Sequence, residues 1–275
     1  MRERTIAFVG GGNMARSLIG GLIKDGCRAE RLWVSDPDPA KLDRYARHYT
    51  VHTSADNKTP VEHADVVVLA VKPQVLKTVA QDLAAAVAAR KPLVISIAAG
   101  IRESDLRRWL GEGIAIVRTM PNTPALVGSG ASALYANAYV DAEQRDLAES
   151  ILRAAGVTLW VDDEAQMDTV TALSGSGPAY FFLVMEALEQ AAVRHGLPPA
   201  SAHLLTLQTA YGAAKMALES PEELGALRRR VTSPGGTTER AIQVLQDSKL
   251  EALFERALAA AEQRSKELAT LFGEN

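Results

Sequence analysis

Residues Val66-Val67-Val68-Leu69-Ala70-Val71 are apolar at every position. A β-branched run without a polar face fits a strand covered on both sides. Such a strand needs helices above and below it, which a parallel sheet with crossover helices supplies. Up to about residue 160 the chain keeps this pattern, alternating short β-branched runs with longer amphipathic ones. Strands are expected at Thr5–Val9, Arg31–Ser35, Asp65–Val71, Pro92–Ile97, Ala115–Arg118, Ser132–Tyr135 and Val157–Trp160, since each is short, apolar and bounded by turn residues. Helical spacing is read at Asn13–Asp25, Ala40–Arg47, Val75–Ala88 and Ala142–Ala154.

After Glu164 the strand-like runs vanish, and Ala/Leu-rich helical segments take over at Ala179–His195, Ala200–Glu219, Thr238–Gln246 and Leu250–Leu271. The expected architecture is an α/β Rossmann-type dinucleotide-binding domain over 1–162, followed by an all-α domain over 163–275. Alanine-rich helices that are apolar on more than one face pack against another copy of themselves, so a homodimer through this half is expected.

With 275 residues, the chain has room for two cores. A net charge of −3 and a pI near 6.0 give no reason to expect nucleic acid as a partner. Cys27 is the only cysteine, which excludes an internal disulfide and suits a reducing compartment. Met1-Arg-Glu-Arg-Thr leads straight into a strand and not into a signal-peptide core. No apolar run approaches the roughly 20 residues that cross a bilayer. A cytoplasmic location, with no membrane partner, is expected.

Ile6-Ala7-Phe8-Val9 runs into Gly10-Gly11-Gly12-Asn13-Met14-Ala15, a G-x-G-x-x-A pattern between strand and helix. The first glycine makes the tight turn, the second admits a pyrophosphate, and small Ala15 lets helix and strand approach. The second strand ends at Asp36, where an acidic residue normally takes the ribose 2′-hydroxyl of NAD. Ser35, Lys41 and Arg44 lie close enough in sequence to support a 2′-phosphate instead, and Asp36 also opens the turn Asp36-Pro37-Asp38-Pro39. Both NADH and NADPH therefore stay open as coenzymes. Small residues at later strand ends, Ala70-Val71-Lys72-Pro73 and Ser96-Ile97-Ala98, let a flat cofactor lie against the backbone.

Near the other end, Thr232-Ser233-Pro234-Gly235-Gly236-Thr237-Thr238 precedes an amphipathic run. Its glycines let successive N–H groups face one point. Thr237 or Thr238 is the expected N-cap, and the helix start offers donors and a positive dipole end to a small carboxylate.

Five motifs in this order, Gly10–Ala15, Ala70-Val71-Lys72-Pro73-Gln74, Arg118–Pro124, Leu173–Tyr180 and Thr232–Thr238, resemble pyrroline-5-carboxylate reductase. The resemblance implies reduction of 1-pyrroline-5-carboxylate to L-proline by NADPH or NADH, the last step of proline biosynthesis. It implies coenzyme contacts at Gly10, Gly11, Gly12, Asn13, Met14, Ala15, Ser35, Asp36, Asn57, Ala70, Val71, Lys72, Pro73, Ser96, Ile97 and Ala98. Substrate contacts would come from Ser233, Gly235, Gly236, Thr237 and Thr238. A protonated cyclic imine needs positioning more than a strong acid, so Thr238 is expected on the ring nitrogen and Ser176 as a secondary polar contact. Dimers joined by the C-terminal helices, and rings of such dimers, are also implied. One segment departs from the family's form: Ser220-Pro221-Glu222-Glu223-Leu224-Gly225 lacks the proline expected near 224.

Other chemistries find less support. No His/Cys/Asp cluster has metal spacing. His48, His52, His63, His195 and His203 lie outside any catalytic pattern, and Ser174-Gly175-Ser176-Gly177 precedes a helix without evident triad partners. A hydroxy-acid dehydrogenase of similar layout wants a lysine or histidine acid/base, and the one notable lysine of the helical half, Lys215, reads as a helix-surface charge. A non-catalytic dinucleotide sensor has no need of the carboxylate nest.

Overall fold

The computed structural model describes residues 3–274. The chain runs β1 (Ile6–Val9), α1 (Asn13–Lys24), β2 (Leu32–Ser35), α2 (Pro39–Tyr49), β3 (His52–Ser54), α3 (Lys58–His63), β4 (Val66–Leu69), α4 (Pro73–Arg90) and β5 (Leu93–Ser96). It continues through α5 (Glu103–Leu110), β6 (Ile116–Met120), β7 (Gly130–Ala136), α6 (Ala142–Arg153), β8 (Gly156–Trp160) and α7 (Gln166–Val170). A π-helical turn at Thr171–Gly175 comes before α8 (Gly177–Arg194), α9 (Pro199–Glu219), α10 (Leu224–Arg230), α11 (Thr237–Asp247) and α12 (Leu250–Glu274). A short strand ahead of the polar stretch 54–59 is expected from the sequence and is present as β3; beyond the expected elements the structure adds the short helices α3, α5, α7 and α10. Two compact units emerge, one from the residues up to Ser176 together with those from Ala260 onward, the other from Gly177–Ala259.

In the first unit one eight-stranded sheet has the order β3-β2-β1-β4-β5-β6-β7-β8. The all-parallel expectation holds from β3 to β6 and fails at β7, which pairs antiparallel with β6 through Thr119↔Leu134. The reason lies in the connection. Between Met120 and Gly130 there is only a 3₁₀ turn, Thr123–Val127, whereas a crossover to a parallel neighbour needs about a dozen residues or more.

Period-2 alternation sorts the strand side chains into two cores. Ile6, Phe8, Val34, Val66, Val68 and Ile95 pack with Leu18 and Leu22 of α1 and Ile151 of α6. Ala7, Val9, Val67, Leu69 and Val94 pack on the other face with Leu76 and Leu83 of α4 and Leu106 of α5. Each fully buried leucine contributes about 1.5–3 kcal/mol relative to exposure. Cys27 joins the first of these cores, and burial pushes its thiol pKa up, so it is a packing residue.

The second unit is helical throughout and buries little of its own apolar surface. Among its described residues only Gly177 and Ala202 are buried, while Phe181, Leu204 and Leu218 are 69%, 67% and 86% exposed. No helix among the described residues is long and apolar enough to cross a membrane.

Gly21 brings α1 against the end of α6: a Cβ there would lie 2.0 Å from the carbonyl oxygen of Ala154. Gly21→Ala should therefore force the helices apart at a cost of about 1–3 kcal/mol. Thermal denaturation is expected to show a midpoint roughly 2–12 °C lower; an unchanged midpoint would mean that this contact is soft.

Candidate active site

Register brings the ends of β2, β1, β4 and β5 level, through Val9↔Ser35, Val9↔Leu69 and Leu69↔Ser96. The ladder continues one residue past the strands. Gly10 N–H donates to the Ser35 carbonyl (2.8 Å), Ala70 N–H to Val9 (2.8 Å) and Ile97 N–H to Leu69 (3.2 Å). The expected coenzyme segments Gly10–Ala15, Ser35–Asp36, Ala70–Pro73 and Ser96–Ala98 thus meet at one edge of the sheet. That edge includes the point where strand order reverses beside β1, the usual crevice for a nucleotide.

At Gly10 the backbone has φ +104°, and an added Cβ would lie 2.7 Å from the Ala70 carbonyl oxygen. Only glycine fits this turn. At Gly12 the same test meets nothing nearer than Ala70 O at 4.0 Å, so open space lies above the loop. Gly12 is the N-cap of α1 and no side chain caps that helix. The first-turn N–H groups of α1 are left for an anion. Gly10, Gly11 and Ala15 are buried behind this surface, whereas Gly12, Asn13 and Met14 reach it. These features fit a dinucleotide pyrophosphate.

Asp36 is nearly buried and engaged. Its Oδ2 accepts from Gly11 N–H (2.9 Å) and its Oδ1 from Asp38 N–H (3.0 Å), while Lys41 Nζ reaches both oxygens. Burial alone would raise its pKa; the Asp38 N–H, the Lys41 ammonium and the Gly11 N–H outweigh that and hold the carboxyl below its ordinary value. Tyr45 of α2 backs the same loop through its hydroxyl, which donates to the Gly12 carbonyl at 3.2 Å.

Ser35 and Ser96 do not reach the surface, both having 0% exposure, so a side-chain contact to a coenzyme is not open to either. They shape the loops instead. Ser96 Oγ accepts from Ala98 N–H (3.4 Å), and its carbonyl accepts from the Thr119 hydroxyl (3.0 Å). At Asn57 the polar turn is capped by a neighbour: Asp56 accepts from the N–H groups of Lys58 (3.1 Å) and Thr59 (2.9 Å). The Asn57 side chain makes no capping bond to α3 and is half-buried. Lys72 is the uncapped N-cap of α4 and is exposed.

One residue of this edge had no role assigned from sequence. Asn122, between Pro121 and the 3₁₀ turn, donates through Nδ2 to the carbonyl (3.3 Å) and Oγ (3.2 Å) of Ser174, and accepts through Oδ1 from Ala131 N–H (2.9 Å). It ties the loop after β6 to the π turn. Gly175 lets that turn close on β6, since a Cβ there would lie 2.3 Å from Met120 Cε. Ser176 N–H donates to the Thr171 carbonyl at 2.9 Å, and its hydroxyl has no partner among the described residues. For Asn122 the available signal was a polar pair, Asn122-Thr123, set between Pro121 and Pro124.

In the second unit, Ser233–Thr238 folds as a tight turn. Gly236 N–H donates to the Ser233 carbonyl at 3.0 Å with Gly235 at φ +71°, as a Pro-Gly turn requires. This corrects the expected cap: the turn delivers Gly236, not Thr237 or Thr238, to the N-cap position, and both threonines become the first helical residues of α11. Gly235 N–H donates to Glu239 Oε2 at 2.8 Å. The N–H groups of Thr237, Thr238 and Glu239 have no partner inside the helix, and neither threonine hydroxyl has a partner among the described residues.

The histidines are occupied elsewhere: His52 and His63 stack on Trp33 at 4.5 and 6.0 Å, and His203 pairs with Glu189 at 2.9 Å. Lys215 pairs with Glu219 of its own helix at 3.8 Å. Among the described residues no group of three or more His, Cys, Asp or Glu could hold a metal.

Comparison with known proteins adds a separate line. Residues 164–268 match the family model described as pyrroline-5-carboxylate reductase dimerisation, and residues 5–100 match that of NADP oxidoreductase, coenzyme F420-dependent. A pyrroline-5-carboxylate reductase of Pseudomonas aeruginosa is 54% identical, with both chains covered in full. The structure of one from Coxiella burnetii superposes with a TM-score of 0.94 at 50% identity, over 97% of this chain and 98% of that one. A pyrroline carboxylate reductase from Plasmodium falciparum, solved with NADP bound, gives 0.86 at 29% identity over 98% and 99%.

Asn122→Ala removes three hydrogen bonds and leaves Ala131 N–H unpaired, so chemical denaturation should report a loss of about 1–3 kcal/mol. Faster amide exchange at Ala131 should accompany it; unchanged exchange would contradict the tie. For Asp36, a folded-state pKa below the unfolded one means stabilisation that is complete above the ordinary value of 3.8 and is lost as pH falls through the folded value. The stability difference between the natural chain and Asp36→Asn should hold steady at neutral pH and shrink below 3.8; a difference that grows on acidification would reverse the sign.

Proposed function

The chain belongs to the pyrroline-5-carboxylate reductase family, and from that premise we propose which of its own residues carry the reaction. It reduces 1-pyrroline-5-carboxylate to L-proline by hydride transfer from NADPH or NADH, the last step of proline biosynthesis. The coenzyme, when bound, supplies the hydride.

The observation that carries the assignment of roles is the Ser233–Thr238 turn, with its unpartnered N–H groups and free threonine hydroxyls. It grips the substrate carboxylate at the positive end of α11 with the Thr237 N–H and the Ser233 side chain, while Gly235 and Gly236, whose own N–H groups are engaged by Glu239 and the Ser233 carbonyl, line the same turn. Thr238 hydrogen-bonds the ring nitrogen. A protonated cyclic imine already carries the charge that attracts hydride, so these residues need to hold and orient it, not to act as a strong acid. Ser176 is a secondary polar contact. On the sheet, the N–H groups around Gly12, Asn13 and Met14 take the pyrophosphate, backed by Gly10, Gly11 and Ala15. Asp36 lies toward the ribose, Asn57 and Ala70–Pro73 along the nucleotide, and Ile97–Ala98 beside the reactive ring.

The dimerisation match over 164–268 supports a homodimer. We place the dimer contact on the exposed apolar helices of the 163–275 half, where Phe181, Leu204 and Leu218 await cover, and the 1–162 half as the coenzyme domain. Further assembly into a ring of dimers and a cytoplasmic location complete the proposal.

Mixing the purified protein with pyrroline-5-carboxylate and NADH or NADPH should give loss of nicotinamide absorbance. Thr238→Ala should lower kcat/KM about ten- to a thousandfold, the effect of one well-placed polar contact. Coenzyme affinity should stay within about twofold of the parent. Activity within a factor of two of the parent would remove Thr238 from the mechanism.

A further inference from the structure

An acidic reader at the end of a second strand works by offering a free carboxylate oxygen to the ribose 2′-hydroxyl, and the same free charge repels a 2′-phosphate. Asp36 has no oxygen to offer. Oδ2 accepts from Gly11 N–H and Lys41 Nζ, both at 2.9 Å; Oδ1 accepts from Asp38 N–H at 3.0 Å and Lys41 Nζ at 3.2 Å. A carboxylate has about four lone-pair sites, and all are taken. The side chain of Asp36 is 7% exposed, whereas that of Lys41 is 41% exposed. An ammonium group carries three N–H donors; two point at Asp36 and one remains. Arg44, one turn further along α2, is exposed as well.

We infer that Asp36 braces the glycine loop and that Lys41 is the residue that meets the coenzyme's 2′ position, so the site accepts a 2′-phosphate and binds NADPH at least as tightly as NADH. This rests on the reading of Gly10–Ala15 as the coenzyme loop. Lys41 cancels the charge that would otherwise exclude NADPH and supplies a charge-assisted donor to the phosphate. Asp36 holds Lys41 in place and pins Gly11, so its own effect on coenzyme choice runs through its neighbour.

Binding to the full chain without substrate tests this by calorimetry, with NADPH, NADH and the fragments 2′,5′-ADP and 5′-AMP as probes. The unsubstituted protein should bind 2′,5′-ADP more tightly than 5′-AMP. Lys41→Met should weaken NADPH and 2′,5′-ADP about tenfold, the loss of one contact to a charged group, and shift NADH and 5′-AMP by less than about twofold. Lys41→Arg should retain NADPH binding, which a purely structural loss of the lysine does not predict. NADH binding tighter than NADPH, or equal weakening of both by Lys41→Met, overturns the inference and leaves the coenzyme loop standing. Absence of binding by either coenzyme to the unsubstituted protein overturns the loop reading and the inference together.

Discussion

Level strand ends are the constraint on which the first unit depends. Three backbone hydrogen bonds, from Gly10, Ala70 and Ile97, carry the parallel ladder beyond β1, β4 and β5. They hold the connecting loops to one another before any side chain acts. Slipping β1 by one residue would exchange Ile6 and Phe8 with Ala7 and Val9 between two cores and misalign the glycine turn at once. Fold stability and site geometry therefore rest on the same register, which Asp36 and Tyr45 then reinforce at the glycine loop.

The helical unit follows a different logic. Its long helices expose phenylalanine, leucine and methionine side chains to an extent that a self-sufficient domain would avoid. Membership of a family with a dimerisation domain over 164–268 accords with the proposed placement of the dimer contact on these faces.

Much of this was legible in the sequence, for reasons that particular residues make plain. The unbroken apolar run at Val66–Leu69 could only be a doubly covered strand, and it is. G-x-G-x-x-A gave the first βα turn because each of its positions has a steric duty. Strand direction at β7 was missed because the expected strands left residues 119–131 free for a crossover, whereas β6 and β7 run longer and leave only 121–129, too short for one. The N-cap at Gly236 was missed because threonine's capping preference was weighed without the turn that Pro234 and Gly235 impose. A π turn has no side-chain period of its own in one repeat, so Thr171–Gly175 left no trace beyond its glycine. Asp36 showed how a residue of the right type in the right place can be engaged by neighbours that only folding brings together.

That last arrangement shapes how such a chain can diverge. The aspartate belongs at once to the sheet edge, the phosphate turn and α2, whereas the lysine beside it is anchored to nothing else. A substitution at position 36 would disturb all three together. The Lys41 side chain pairs with one partner, so on the reading proposed above an exchange of one reducing currency for another would call for change at a single solvent-facing residue while the buried acid stays put.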